Sequence, residues 1–260
     1  LRHLKRMAEE VYDLVGGRVP SGYMSRKPVG MGADGTPTHM VDRVTEDAII
    51  KYVEGEGLPL NILSEEAGFI DRGHALTLII DPLDGTYNAL HGIPFYSVVL
   101  AVTSGSLQRV SHGVVMNLAS GDLYEAERGR GAFMNARRIS VRSFEEAHSL
   151  FSLYIGRRAS RRVHEALHIP RRVRSLGSAA LEMAMVAQGE SDLFVYEGEG
   201  CGILRIVDIA ASYLLVLEAG GHVVGDELRP LDIPLDVGAR RNVIAYGDER
   251  VMEVIGWASR

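Results

Sequence analysis

Apolar residues recur at Leu4, Met7, Ala8, Val11, Leu14 and Val15. That spacing keeps them on one side of a 3.6-residue turn and predicts a helix over residues 1–15, ended by Gly16-Gly17. A second helix is predicted over 40–54, with Val41, Val44, Ala48, Ile49 and Tyr52 on one face. Residues 28–38 between them are rich in glycine and proline and read as a mobile loop. Short apolar runs follow at 60–63, 76–80 and 96–102 and read as strands, the second ending directly on Asp81. Residues 114–116, 122–126, 131–134 and 139–141 predict a meander of short strands. Beyond it the pattern alternates. Strands are predicted at 150–155, 173–176, 193–195, 222–224 and 242–245, and helices at 161–167, 178–188, 207–218 and from Arg250. Gly220-Gly221 suits the left-handed turn after the most apolar of these helices. Strands and helices mixed in this order predict sheets layered with helices, an α/β (α+β) architecture.

The chain has 260 residues, room for one large unit or two joined halves. No repeat or low-complexity linker marks a boundary, and we take the halves as 1–145 and 146–260. Composition narrows the function. A net charge of -6 argues against a general nucleic-acid binder, which needs a basic surface. It leaves room for a local basic pocket, although the arginines at 157–162 and 171–174 read first as solvated surface. A single cysteine, Cys201, excludes an internal disulfide and a cysteine-built zinc site. No apolar stretch approaches the ~20 residues needed to span a bilayer. The first residues lack the order of a signal peptide, so the cytoplasm is the expected location.

The candidate chemistry gathers at Asp81-Pro82-Leu83-Asp84-Gly85-Thr86. Asp81 stands at the carboxyl end of a buried strand, a favoured place for sites in layered folds. Pro82 stiffens the exit and Gly85 permits a tight turn. Two carboxylates converging there repel each other unless a cation neutralises them, and a hard, oxygen-seeking ion such as Mg²⁺ is the natural partner. Taken alone, the run is equally a turn after a core strand. Two further acidic groups change that balance. Ser64-Glu65-Glu66 closes another apolar run, and Asp208 opens a helix so apolar that it must be buried. An aspartate at a helix start is ordinarily a cap. Three acidic clusters at element ends exceed what capping requires.

Glu65-Glu66, the aspartate run and Asp208-Ile209-Ala210-Ala211, in that order, resemble the signature of the inositol monophosphatase family, relatives of fructose-1,6-bisphosphatases and other lithium-sensitive phosphatases. Residues 32–38, Gly177-Ser178-Ala179 and Glu218-Ala219-Gly220-Gly221 extend the likeness through most of the chain. The details look closest to the archaeal branch, whose members often act on both inositol monophosphate and fructose 1,6-bisphosphate. The resemblance implies a layered α-β-α-β-α sandwich, usually a homodimer, and two or three Mg²⁺ ions per site. By motif position it implies that Glu65, Asp81 and the Leu83 carbonyl hold one ion. Asp81 bridges to a second ion, which Asp84 and Asp208 also hold. Thr86 and Asp42 orient the attacking water, with Glu65 counted among the catalytic groups. Asp34 in the glycine-rich loop is a further candidate ligand. Ions ~3.5–4 Å apart can stabilise both the entering and the leaving oxygen of an in-line displacement.

For the substrate, the Gly85 and Thr86 N–H groups are candidate phosphate donors. Gly177 and Ser178 are candidates for the substrate hydroxyls, and Arg174 and Arg205 for a second phosphate or the sugar. Ser178 reads equally as a helix N-cap and the arginines as ion pairs. The chain departs from the family pattern in three places. The stretch 197–202 is longer and richer in glycine, Val207 stands where tryptophan is common, and Ser212 replaces a frequent glycine. These departures bear on substrate identity. The nine histidines show no metal-ligand spacing, and His91 reads as structural. Two other activities remain open on this reading. One is a nucleotide 3'-phosphatase or NADP(H) phosphatase of the same superfamily, and the other is a non-catalytic phosphate sensor.

Overall fold

Helix α1 (Arg2–Val15) forms where its heptad-like spacing predicts and buries Leu4, Met7, Ala8, Val11 and Val15. Leu14 points outward. The computed structural model describes residues 1–16, 25, 27–33, 35–200 and 202–257, so Gly17, Asp34 and Cys201 lie outside the described residues. Residues 28–38, expected as a loop, contain a two-stranded antiparallel hairpin, β1 (Gly30–Met31) and β2 (Pro37–Thr38). Helix α2 (Met40–Gly55) forms where expected but is rotated. Its buried face carries Val41, Asp42, Thr45, Glu46, Ile49 and Val53, while Val44, Ala48 and Tyr52 are only half-buried. The rotation is possible because the buried polar groups are all satisfied. Thr45 donates to the Val41 carbonyl at 2.8 Å, Asp42 accepts from the His39 N–H at 2.8 Å, and Glu46 accepts from the Ala67 N–H at 3.1 Å.

The large sheet is built from β3 (Leu60–Ser64), β4 (Gly68–Ile70), β5 (Leu76–Asp84), β6 (Ser97–Thr103), β7 (Val110–Asn117), β8 (Leu123–Glu127), β9 (Gly131–Met134) and β10 (Arg137–Ile139). Their order is β10-β9-β8-β7-β6-β5-β3-β4, antiparallel throughout except for β3 beside β5. Strand β5 does not stop at Asp81. It continues to Asp84, with an irregularity against β6 between those two aspartates. Pro82 has no N–H to give the ladder, and such a break re-aims side chains. Gly85 then takes φ 88° and starts the one-and-a-half-turn helix α3 (Thr86–His91). That helix and β4 escaped the hydrophobic pattern because both are too short to show a period.

The second half supplies β11 (Leu150–Leu153), α4 (Arg161–Ala166), β12 (Arg172–Arg174), α5 (Ala179–Ala187), β13 (Leu193–Tyr196), α6 (Ile206–Glu218), β14 (His222–Val224), β15 (Val243–Tyr246) and α7 (Arg250–Val254). The five strands pair in the order β12-β11-β13-β15-β14.

Burial orders these elements into layers. Leu78, Ile80, Leu100 and Val114 on one face of the large sheet pack with α1 and α2. Ile79, Val99, Ala101 and Val115 alternate with them and meet α5 and α6 on the other face. The same two helices cover Phe194, Val243 and Ala245 of the small sheet. The far face of that sheet, with Phe151, Leu153, Val195 and Ile244, lies under Val163 of α4 and Val251 of α7. The result is α-β-α-β-α, as the resemblance implies. Helix α6 is central: every residue from Ile206 to Val216 is buried. It sits so close to β7 that a Cβ on Gly113 would fall 2.8 Å from Ala211 Cα. Ser212, which the family resemblance marked as unusual, donates to the Ala180 carbonyl at 2.9 Å and so ties α6 to α5. Among the described residues no helix is long and apolar enough to cross a membrane.

Candidate metal centre

Three carboxylates from distant segments meet where β3, β5 and α6 end or begin. Glu65 follows β3, Asp81 lies in the irregular end of β5, and Asp208 is in the first turn of α6. One oxygen from each lies within 4.8 Å of the others. Asp81 and Asp208 are buried and Glu65 half-buried. Each is fixed by its own surroundings. The Leu83 N–H donates to Asp81 Oδ1 at 3.0 Å. Asp208, three residues past the N-cap Arg205, reaches back to the Arg205 N–H at 2.6 Å, so it closes the first turn of α6 and is a member of the cluster together. The turn carrying Glu65 is held by Glu46, which accepts from the Ser64 hydroxyl and the Ala67 N–H.

Asp84 lies beside the cluster but faces the start of α5. It accepts from the Ser178 hydroxyl at 2.5 Å and from the Ala180 N–H at 2.9 Å. This changes the reading of Ser178. Its side chain is fully buried and its hydroxyl is directed at Asp84, while it caps Leu181 N–H at 3.4 Å, so it has no face for a substrate hydroxyl. Arg174 lies elsewhere. It is exposed on β12 with its guanidinium on the Val173 carbonyl, away from both clefts described below. Arg205, also read as a substrate contact, is drawn into the cluster. It pairs with Glu65 at 2.8 Å and with Asp208 at 2.5 Å.

Thr86 and Asp42 come together. The Thr86 Oγ1 lies 3.1 Å from Asp42 Oδ1 and 2.9 Å from the Leu83 carbonyl oxygen. A cleft of about 380 Å³ opens over this pair and is lined by Asp42, Glu65, Thr86, Tyr87 and His91. His91 stacks on Tyr87 at 3.9 Å, with its Nδ1 2.8 Å from the Tyr87 carbonyl oxygen. A second cleft of about 330 Å³ lies on the other side and is lined by Asp84, Gly177, Asp208, Arg158, Arg205 and Arg240. The described residues of the glycine-rich stretch do not line it. Glu197 is buried against the Ser160 hydroxyl at 2.6 Å, and the Gly198 N–H donates to Asn242 at 2.9 Å.

Burial and mutual repulsion dominate the electrostatics of these carboxyls. Burial, then the charges of Glu65, Asp84 and Asp208, push the Asp81 carboxyl well above the usual carboxylate range, with Arg205 opposing. Burial lifts Asp84 to about 6 against the Ser178 hydroxyl and Ala180 N–H. It lifts Asp42 to about 6 against the His39 N–H and the Thr86 hydroxyl. A bound dication reverses this logic by favouring the ionised form. An all-oxygen donor set of converging carboxylates fits a hard cation such as Mg²⁺.

Three supporting residues carry no motif and were not legible from sequence. Glu46 holds the Glu65 turn. Asn88 donates to the Leu176 carbonyl at 2.6 Å and the Phe95 carbonyl at 2.8 Å, fastening the Gly177 loop beside the aspartate run. Glu182 accepts from the Leu176 and Gly177 N–H groups at 3.1 and 3.2 Å. Their one signal is a polar residue inside an apolar helical stretch, most visible for Glu182 in Ala179-Ala180-Leu181-Glu182-Met183.

Burial raises the Glu182 carboxyl to about 7 against those two N–H donors. A carboxyl raised on folding takes up a proton, so its stabilising contribution is full below its unfolded value near 4.5 and declines as pH rises toward 7. Thermal unfolding of Glu182→Gln compared with the unaltered protein should therefore favour the variant progressively from pH 5 to pH 8, by up to about 3 kcal/mol. A pH-independent difference would show that Glu182 does not titrate in that window.

Converging carboxylates, a hydroxyl–carboxylate pair facing them and a basic cleft alongside place the chain among metal-centred hydrolases of anionic substrates. The family follows from comparison. Residues 8–255 match the inositol monophosphatase family. The chain is 40% identical to the fructose-1,6-bisphosphatase/inositol-1-monophosphatase of Methanothermobacter thermautotrophicus, over 96% of this chain and 94% of that protein. It is 34% identical to the protein of the same name from Thermococcus kodakarensis, over 98% and 93%. The crystal structure of an inositol monophosphatase–fructose 1,6-bisphosphatase superposes with TM-score 0.85 at 30% identity, covering 98% of this chain and 97% of that one. The chain belongs to the inositol monophosphatase family and is a phosphoric monoester hydrolase.

Proposed function

We propose that the protein hydrolyses inositol monophosphate, fructose 1,6-bisphosphate or both with Mg²⁺. The observation that carries the reading is the convergence of Glu65, Asp81 and Asp208 beside the Thr86–Asp42 pair. Glu65, Asp81, the Leu83 carbonyl, Asp84 and Asp208 would hold two or three ions. Bound Mg²⁺ would supply charge neutralisation and lower the pKa of water at the site. The chain's own residues do the rest. Thr86 hands its hydroxyl proton toward Asp42 and aims its oxygen lone pairs at a water in the cleft. Asp42, lifted to about 6 by burial, is poised to take a proton near neutral pH. The Gly85–Thr86 backbone at the start of α3 offers N–H groups to the phosphate. The homodimer, the lithium sensitivity and the cytoplasmic location belong to the same proposal and rest on the family resemblance alone.

The arginine-lined cleft favours the bisphosphate. Arg158 and Arg240 stand on its wall across from Asp84 and Gly177, where a second phosphate on the far end of a six-carbon sugar would meet positive charge. Replacing Arg158 and Arg240 together by alanine should raise KM for fructose 1,6-bisphosphate about tenfold or more while changing KM for inositol 1-phosphate less than about threefold. Equal losses on both substrates would remove the cleft from specificity. The proposal as a whole is tested by phosphate release across sugar and nucleotide phosphates with Mg²⁺ or with EDTA. Release from the two named substrates, lost in EDTA, is expected. Release only from 3'-nucleotides or NADP(H) would transfer the assignment to that branch.

A further inference from the structure

Both oxygens of the Asp208 carboxylate are engaged by Arg205. Oδ1 accepts from Arg205 Nε at 3.0 Å and Nη2 at 2.5 Å, and Oδ2 accepts from the Arg205 backbone N–H at 2.6 Å and from Nε at 3.2 Å. An ionised carboxylate has about four lone-pair sites. Three N–H groups of Arg205 take most of them: the backbone N–H on Oδ2, Nη2–H on Oδ1, and the single Nε–H shared between both oxygens. The same guanidinium reaches Glu65 through Nη1 at 2.8 Å, so one cation bridges two of the three carboxylates of the cluster. Its side chain is 11% exposed. It also lines the cleft shared with Arg158 and Arg240.

We propose that Arg205 is an exchangeable counter-cation of the metal centre: a divalent ion gains Asp208 and Glu65 only as the guanidinium leaves them. The inference rests on the metal-centre reading above and adds to it a residue that competes with the ion. Two physical points drive it. Both Asp208 oxygens are turned to the guanidinium fork while it is in place, so its positive charge stands where an ion would have to approach, and a buried cluster of carboxylates without any positive charge is strongly self-repulsive. One resident charge therefore steadies the cluster, and a double charge replaces it. The displaced guanidinium has somewhere to go, because the cleft whose wall it already forms is open to solvent. Asp208 keeps its cap on the Arg205 backbone N–H throughout, so exchange of the side chain leaves α6 in place.

The test is calorimetric titration of Mg²⁺ into the unaltered protein and into Arg205→Met, each first stripped with EDTA. Removing the competitor should tighten Mg²⁺ binding about tenfold or more. It should also enlarge the rise in thermal midpoint that Mg²⁺ produces. Unchanged or weaker Mg²⁺ binding in Arg205→Met would overturn the exchange. Mg²⁺ binding by neither protein would overturn the metal-centre reading and the exchange with it. If Arg205→Met does not fold without metal, side-chain nitrogen NMR of the unaltered protein decides. The Arg205 Nε–H signal, assigned by its absence in Arg205→Lys, should shift or broaden as Mg²⁺ saturates the site. A signal that stays in place would overturn the proposal.

Discussion

Asp81→Asn should lower kcat/KM by about 10³-fold or more on every substrate that the protein turns over. It should at the same time make the metal-stripped protein more stable. Both effects have one cause. Asp81 is 2% exposed and stands among Glu65, Asp84 and Asp208, whose charges together with burial drive its carboxyl far toward the neutral form. An ionised Asp81 is therefore costly to the fold unless a cation neutralises it. Asparagine removes that cost and keeps the acceptor oxygen that takes the Leu83 N–H. A rise in thermal midpoint of roughly 2–4 °C in EDTA corresponds to about 1 kcal/mol at this chain length. With Mg²⁺ present the order should invert, because only the carboxylate gains from the ion. Activity that survives the substitution would remove Asp81 from the metal ligands. A variant that loses activity and stability together in EDTA would make Asp81 a structural residue.

Thr86→Val is the second large effect. Valine keeps the shape and removes the hydroxyl that lies between Asp42 and the Leu83 carbonyl. The expected loss is about 10²–10³ in kcat, the usual range for a positioned proton-transfer group, with Mg²⁺ affinity and KM little changed. Thr86→Ser should recover most of the rate, since it restores the oxygen. A Thr86→Val enzyme with unaltered kcat would place water activation elsewhere. One whose Mg²⁺ affinity collapses would make the threonine a support of the Leu83 carbonyl instead.

The layers were readable because most of their elements carry a clear period. Helix α1 and the apolar run of β5 announce themselves through their apolar pattern, and α6 through the strongly apolar stretch 207–218 closed by Gly220-Gly221. Short elements were not readable. Helix α3, six residues long, has too few positions to display a face, yet it presents Thr86 to Asp42. The orientation of α2 was misread for a different reason. Apolar periodicity pointed to Val44 and Ala48, whereas the face turned inward carries Asp42 and Glu46, whose burial depends on partners brought from α3 and β3.

The same distinction runs through the site. The acidic residues were found because they recur at element ends in a known order. What those residues touch was not, because tertiary partners leave no spacing. Ser178 reads as a cap or a substrate contact until Asp84 is seen 2.5 Å away. Arg205 reads as a substrate contact or an ion pair until its guanidinium is found on Glu65 and Asp208. The unusual stretch 197–202 is the reverse case. It drew attention by composition, and its described residues are anchored to Ser160 and Asn242 rather than lining either cleft.

The most direct test of the metal centre is anomalous diffraction from crystals soaked in Mn²⁺, a hard cation that accepts the same oxygen donors. The account predicts a peak bounded by Glu65, Asp81 and Asp208, about 2.0–2.3 Å from an oxygen of each. A saturating soak that leaves this position empty, or places manganese only on exposed acidic groups, would contradict it.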